Sequence, residues 1–265
     1  MFNVVATPIG NLKDITLRAL ETLKNSDVIL CEDTRHSLVL LDKYDIKAKL
    51  ISYHKFNEEK RVEYVISLLE EGKEVSLITD AGTPIISDPG YVIIKALKER
   101  NIPYTSVPGA CAFVNAIALS GIDCSQFTFF GFLPDGKKRK EKLEKVKNTD
   151  GVLIFYVSPH SVDKDVEDLY KVLGKRSGVI VREMTKLHEE VLPITLTDNF
   201  DQEIIGDMVL ILEGEEKKAN LESLNPMEHL MGYINSGMDK NDAIKLVAKE
   251  RKVPKNEIYK LLNND

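Results

Sequence analysis

From Phe2 to about Ser120 the chain alternates short strand-like runs with stretches of helical period, and this alternation constrains its fold more than any other feature. The runs are Phe2–Ala6, Val28–Cys31, Lys49–Ser52, Val75–Thr79 and Tyr104–Val107. Helical spacing of apolar residues appears at Leu17–Lys24, Val62–Glu71, Tyr91–Arg100 and Ala112–Leu119. A parallel neighbour needs a crossover long enough to hold a helix, so the pattern predicts a mainly parallel sheet covered by helices.

The turn-rich segment Ser120–Ser125 then marks a boundary, and a second α/β unit runs to about Gly214. Its expected strands are Phe127–Gly131, Val152–Tyr156, Ser177–Val181, Val191–Leu196 and Met208–Glu213, with a helix at Ser161–Leu173. The later strands follow one another through short turns, which predicts an antiparallel portion. The expected organisation is an N-terminal α/β domain at 1–120, a C-terminal α/β domain at 121–214, a polar linker at 215–226 and a helical extension at 227–265. In that extension Asn241–Leu262 reads as two short helices around Lys252–Asn256, with Ala243, Val247, Ile258 and Leu261 on their apolar faces. This is the layout of a helix-turn-helix, whose second helix can contact nucleic acid; it is also that of an appendage that only packs or dimerises.

Composition narrows the class. Hydrophobic content of 43% and charged content of 29% over 265 residues fit a soluble globular protein. No apolar run reaches the roughly 18 residues of a membrane span. The chain enters its first strand without a basic segment ahead of an apolar one, so no signal peptide is expected and a cytoplasmic location is. Cys31, Cys111 and Cys124 match no metal or redox spacing and read as reduced thiols.

A net charge of −6 argues against a generic nucleic-acid binder. One local patch runs the other way: Lys137–Lys147 holds seven basic residues against Glu141 and Glu144. Its first residues, Lys137, Lys138 and Arg139, are candidates for phosphate contact. The same run also reads as a solvated helix face with charge pairs at helical spacing.

Three strand–loop–helix junctions carry the candidate binding chemistry. VSLITDAGTPIISDPG (Val75–Gly90) leads from a strand into a bend holding Asp80, Gly82, Thr83, Pro84, Ser87, Asp88, Pro89 and Gly90. FNVVATPIGNLKDIT (Phe2–Thr16) places Thr7, Pro8, Gly10 and Asn11 after a strand, and YTSVPGACAFVNA (Tyr104–Ala116) places Pro108, Gly109, Ala110, Cys111 and Ala112. In open α/β sheets ligands bind beyond the carboxyl ends of the strands. Glycines there admit a close backbone approach and prolines hold one shape. Three such bends predict a single cleft at one sheet edge.

The residues also carry a resemblance. VATPIGNLKDITLRAL, CEDTRH (Cys31–His36), ISYHKFNEEKR (Ile51–Arg61), the TDAGTPIISDPG bend, VREMTKLHEEV (Val181–Val191) and GDMVLILEG (Gly206–Gly214) are similar to the ribosomal small-subunit RNA 2′-O-methyltransferases of the tetrapyrrole-methylase-like superfamily. It covers about the first 215 residues. It implies two α/β domains with a cofactor cleft between them, S-adenosyl-L-methionine as cofactor, a cytidine ribose of ribosomal RNA or of the small ribosomal subunit as substrate, and a homodimer. The cofactor residues expected on this basis are Pro8, Gly10, Asp80, Gly82, Thr83, Pro84, Ile86, Ser87, Ala110, Cys111, Ala112 and Tyr156.

Other cofactor signatures are missing: there is no GxGxxG, GxxxxGK[ST] or HExxH. Methyl transfer from a sulfonium is an in-line displacement that needs no metal, and alignment alone can supply about 7–11 kcal/mol. A ribose hydroxyl does profit from a positioned base. Two polar clusters follow predicted strands: Glu32, Asp33, Arg35 and His36 with Tyr53, His54, Asn57 and Glu58; and Arg182, Glu183, Thr185, Lys186, His188 and Glu189. Expected roles are His54 as base with Glu58 orienting it, Lys186 as an alternative base or phosphate grip, and Arg35 and Arg182 as phosphate or carboxylate clamps.

The chain departs from the family where Val157 and Ser161 flank Ser158, Pro159 and His160, in place of the usual Glu and Arg. Phe56 stands in place of a second histidine. Methylation of a small molecule or protein on the same fold, and a non-enzymatic RNA-binding assembly factor with a vestigial cleft, are the other readings of these residues.

Overall fold

The computed structural model describes residues 1–197, 206–214, 225–235 and 237–261. The chain forms two compact units, Met1–Glu213 and Gly214–Asp265. Residues 215–224 of the expected linker lie outside the described residues, as does Leu262.

The first unit opens with β1 (Phe2–Val5), α1 (Leu17–Lys24), β2 (Val28–Cys31), α2 (Thr34–Lys43), β3 (Lys49–Ser52), α3 (Glu58–Glu70), β4 (Val75–Leu77), α4 (Tyr91–Glu99), β5 (Tyr104–Val107) and α5 (Ala112–Ser120). The five strands form an all-parallel sheet in the order β3-β2-β4-β1-β5. β1, β2 and β4 are buried along their whole length, as a sheet covered on both faces requires. Phe2, Leu30, Val75 and Leu77 pack with Val65, Ile66, Ile93 and Leu97 on one side. Val5, Ile29, Cys31 and Ile78 pack with Ala19, Leu23 and Leu41 on the other.

Sequence periodicity misses α2, because its first turn is the polar run Thr34–Ser37. Asp33 caps it, its carboxylate accepting from the Arg35 N–H at 2.8 Å. α3 likewise begins at Glu58, ahead of its apolar stripe, with Glu58 and Glu59 suited to the positive end of the helix dipole.

The chain continues through β6 (Phe127–Phe132), α6 (Gly136–Lys147), β7 (Val152–Val157), α7 (Val162–Leu173), β8 (Ser177–Arg182), β9 (Glu190–Thr195) and β10 (Met208–Leu212). These strands form a mixed sheet in the order β6-β7-β10-β8-β9, parallel only between β6 and β7. The period-two rule is visible in β7. Leu153, Phe155 and Val157 face a core shared with Val146 of α6 and Val166 and Leu169 of α7. Val152, Ile154 and Tyr156 face Ala116 and Phe113 of α5, which covers the opposite side of this second sheet.

The second unit contains α8 (Pro226–Asn235), α9 (Lys240–Glu250) and α10 (Lys255–Leu261). Leu230, Ala243, Ile244, Val247, Ala248 and Ile258 make its core. His229 is buried there, its Nε2 3.1 Å from Glu250 and its Nδ1 accepting from Arg251 Nε at 3.0 Å.

Candidate functional site

The strand order explains why the predicted bends meet. β4, β1 and β5 are adjacent and parallel, so their carboxyl ends emerge side by side at one edge. Thr7 and Gly82 exchange backbone hydrogen bonds of 2.8 and 3.1 Å, which joins the first bend to the second. Thr7 Oγ1 also donates to the Thr79 carbonyl at 3.0 Å. Thr83 Oγ1 donates to the Ala110 carbonyl at 3.0 Å, which joins the second bend to the third. Within the second bend Ile85 and Ser87 have φ of 76° and 72°. A β-branched residue rarely adopts that conformation, and such strain costs on the order of 1–3 kcal/mol where surrounding contacts hold it.

A cleft of about 310 Å³ opens where these bends face the second sheet. Asp80, Gly82, Thr83, Ile86, Ser87, Cys111, Ala112 and Tyr156 line it, as expected from the sequence. Pro8 and Gly10 do not; they line a neighbouring cavity of about 360 Å³. Pro84 is buried beneath the bend, and Ala110 serves through its carbonyl. Sequence reasoning named Asp88 only as part of the bend and assigned no role to Thr79, Phe132, Ser158, Met184, Asp207 or Met208, which also line the wall. All but Asp88 sit at or just beyond strand ends, the one signal that points to them.

The cleft is apolar over much of its wall and acidic at one side. Burial, with the charges of Glu32 and Asp80, pushes Asp88 up to about 6, against a lowering hydrogen bond from Thr79. Burial and Asp80 likewise raise Glu32, while His54 pulls it down. Tyr156 is pushed up to about 12 by burial, with smaller contributions from Cys111 and Asp88, so its hydroxyl stays protonated. Burial also raises the Cys111 thiol, which makes it a packing residue. Carboxylates beside apolar walls fit a cationic, aromatic-bearing ligand such as S-adenosylmethionine.

The neighbouring cavity lies between the first bend and α2, and it shares Ile9, Thr79, Asp80, Ala81, Lys186 and Asp207 with the cleft. Gly10 belongs to this wall for a steric reason. A Cβ there would stand 2.8 Å from Lys186 Cγ and Thr185 Oγ1, so only glycine lets the bend pack on the 184–186 loop.

Several expected roles need correction. His54 lines neither cavity; its Nδ1 accepts from the Phe56 N–H at 3.2 Å and its Nε2 sits 3.2 Å from Asn57 Nδ2. Glu58 does not orient it; its carboxylate accepts from the Gly90 N–H at 3.1 Å and tethers α3 to the second bend. Lys186 is held in its charged form rather than poised as a base. Desolvation pulls its pKa down, but hydrogen bonds to Glu183 and Asp207, both 2.9 Å, outweigh that and raise it.

Arg139 is not available to phosphate. It is buried, with Nη2 2.7 Å from Asp165 and Nε 2.8 Å from Asp168. The alternation of α6 explains this: Arg139 and Val146 face inward while Lys137, Lys138 and Lys140 face solvent. Arg182 clamps a carboxylate of its own sheet, Glu190, at 2.6 Å. Arg35 stands exposed on the first turn of α2.

Comparison with known proteins bears on this site as a whole. Residues 1–199 match the family model of the Tetrapyrrole (Corrin/Porphyrin) Methylases. The chain is 44% identical over 272 residues to the ribosomal RNA small subunit methyltransferase I of Halalkalibacterium halodurans, covering 99% of this chain and 94% of that one. It is 42% identical to the Thermotoga maritima protein of the same name, covering 80% and 98%. Among solved structures, the methyltransferase CobJ shares the fold at a TM-score of 0.63 and 16% identity, over 81% of this chain and 94% of that one. The chain belongs to the ribosomal RNA small subunit methyltransferase I family, on the tetrapyrrole methylase fold.

Proposed function

We propose that the chain methylates a cytidine ribose 2′-hydroxyl of small-subunit (16S-type) ribosomal RNA, using S-adenosylmethionine. The observation that carries the reading is the convergence of three bends, tied through Thr7–Gly82 and Thr83–Ala110, on one acidic, apolar-walled cleft to which the first bend contributes Ile9, in a chain of this family. Bound in the cleft, S-adenosylmethionine supplies a methyl group made electrophilic by its sulfonium.

The chain's own residues supply binding and alignment. Asp80 and Asp88 place negative charge beside the cation. Gly82 and Ala112 leave room for it, and the Tyr156 ring closes the second-sheet side. The Thr7–Gly82 and Thr83–Ala110 hydrogen bonds hold the bends in one geometry, which is how a displacement of this kind is accelerated. Lys186 keeps its charge and holds the 183–186 loop against Asp207 at the shared wall.

The exposed lysines of α6 supply phosphate contact close to the cleft. Lys142 Nζ donates to the carbonyl of Phe132, a cleft residue, at 2.8 Å, which pins the helix there. Homodimerisation is supported by an apolar surface on which Val114 and Leu119 of α5 are exposed beside Phe127, whose ring lies 6.1 Å from Phe113. No helix among the described residues is long and apolar enough to cross a membrane, and a ribosomal RNA substrate supports a cytoplasmic location. Mass mapping of ribose methylation in small-subunit RNA with and without the gene tests the function. One cytidine ribose mark should vanish on deletion, and an unchanged map defeats the assignment.

A further inference from the structure

We infer that the cavity between the first bend and α2 is the seat of the acceptor nucleoside, and that Asp80, on the wall it shares with the cleft, receives the ribose hydroxyl there. The inference rests on the function proposed above and extends it to the substrate.

Three observations lead to it. The first is adjacency: a donor in the cleft and an acceptor must meet through a common wall, and Asp80 and Lys186 line both spaces. Asp80 is also fixed on the α2 side, because its Oδ1 accepts from the Asp33 N–H at 3.3 Å, at the cap of that helix.

The second is chemistry. His36, Val39 and Leu40 follow one another at three- and four-residue spacing on one face of α2, and all three line the cavity. Opposite them stand Pro8 and Leu12, whose loop is pinned by the Tyr44 hydroxyl donating to the Leu12 carbonyl at 2.7 Å. Two apolar walls with an imidazole at the edge suit a planar base, while a carboxylate at the inner end suits a hydroxyl donor. Extruded bases are held in such pockets, stacked between apolar side chains, by enzymes that do chemistry on a base.

The third is the rim. Val39 is 62% exposed and its neighbour Leu38 45%, so apolar side chains stand open on α2, and Val39 does so at the cavity mouth. Arg35 stands exposed one turn earlier, where a flanking phosphate would lie.

Val39→Trp fills the mouth from an exposed helical position and should leave the fold intact. The expected result is unchanged S-adenosylmethionine affinity by calorimetry, with at least a tenfold fall in kcat/KM for methylation of small ribosomal subunits. A second, activity-independent readout is photocrosslinking of 5-iodocytidine-substituted small-subunit RNA in the presence of S-adenosylhomocysteine. Crosslinked peptides should map to residues 8–12 or 36–40, and His36→Ala should reduce them. Full turnover in Val39→Trp, crosslinks confined to other segments, or loss of S-adenosylmethionine binding in that variant each overturn the inference. Absence of cofactor binding or of any methylation in the unmodified protein would instead defeat the function on which it rests.

Discussion

Thr7 and Gly82 exchange two backbone hydrogen bonds across the carboxyl ends of β1 and β4, 2.8 and 3.1 Å long, although neither residue belongs to a strand. This bridge sets the separation of the first two bends and so the width of the cleft. Gly82 holds φ at 86°, and a Cβ would come 3.3 Å from Ile9 Cγ2. Gly82→Ala should therefore cost about 1–2 kcal/mol from the left-handed backbone alone. A Tm drop of roughly 2–8 °C by scanning calorimetry would register it. Affinity for S-adenosylmethionine should fall by at least tenfold, since Gly82 lines the site itself. A variant with unaltered affinity would show that the bridge does not shape the cleft.

The acidic side of the cleft has a pH signature. Asp88 is pushed up to about 6 by burial and by Glu32 and Asp80. In the free protein it is thus protonated below pH 6 and charged above. A cationic ligand favours the charged form, so binding at pH 6 should release about half a proton. Affinity should weaken by up to about tenfold per unit as pH falls below 6. Calorimetry in two buffers of different ionisation enthalpy measures the release, and Asp88→Asn should abolish it. Equal proton release in that variant assigns the titration to another group.

A deprotonable Lys186 and a structural Lys186 make opposite predictions for arginine. Arg keeps the charge that holds Glu183 and Asp207 but cannot give up its proton. Lys186→Arg should retain turnover within about tenfold of the unmodified enzyme, while Lys186→Met should fall further and lose RNA affinity. Equal collapse of both variants, with a basic limb missing from the pH–rate profile, would restore the lysine as a base.

Much of this arrangement is legible in the chain, and the illegible part has physical reasons. The strands Val28–Cys31 and Tyr104–Val107 are found at their predicted bounds, the first because a short apolar run between turn residues has few other options, the second because β-formers stand between Pro103 and Pro108. The bends converge because β4, β1 and β5 are neighbours, and strand order is a tertiary property that spacing does not encode. α2 escapes periodicity because its first turn is polar and its signal is a capping aspartate, Asp33. Site roles fared worst among charged residues. Arg139 within α6, Arg182 at the end of β8, Glu58 at the start of α3 and Lys186 in the loop after β8 each satisfy a partner within the fold. Residue type cannot tell a charge that meets a ligand from one that meets a neighbouring element; only the partner's position can.

α6 offers the sharpest test of that distinction, because one buried cation stands among exposed ones on the same helix. Arg139 is buried against Asp165 and Asp168, and Asp165 in turn accepts from Ser161 Oγ at 2.9 Å. Ser161 Oγ lies 2.9 Å from Ser158 Oγ, and Ser158 lines the cleft. Arg139→Met leaves Asp165 without its cation in a dry environment, with only the Ser161 hydroxyl beside it, and breaking a buried pair in this way typically costs about 3–5 kcal/mol. Its midpoint in chemical denaturation should fall sharply, and adding Asp165→Leu should recover much of the loss by removing the stranded charge. Lys137→Ala with Lys138→Ala should behave in the opposite manner, with denaturation unchanged and weaker RNA binding. The slope of log affinity against log salt should then shrink by about 0.7–0.9 for each phosphate that the helix no longer neutralises. If Arg139→Met instead leaves stability untouched and lowers only the salt slope, the buried ion pair is not its role and the helix meets RNA through that residue after all.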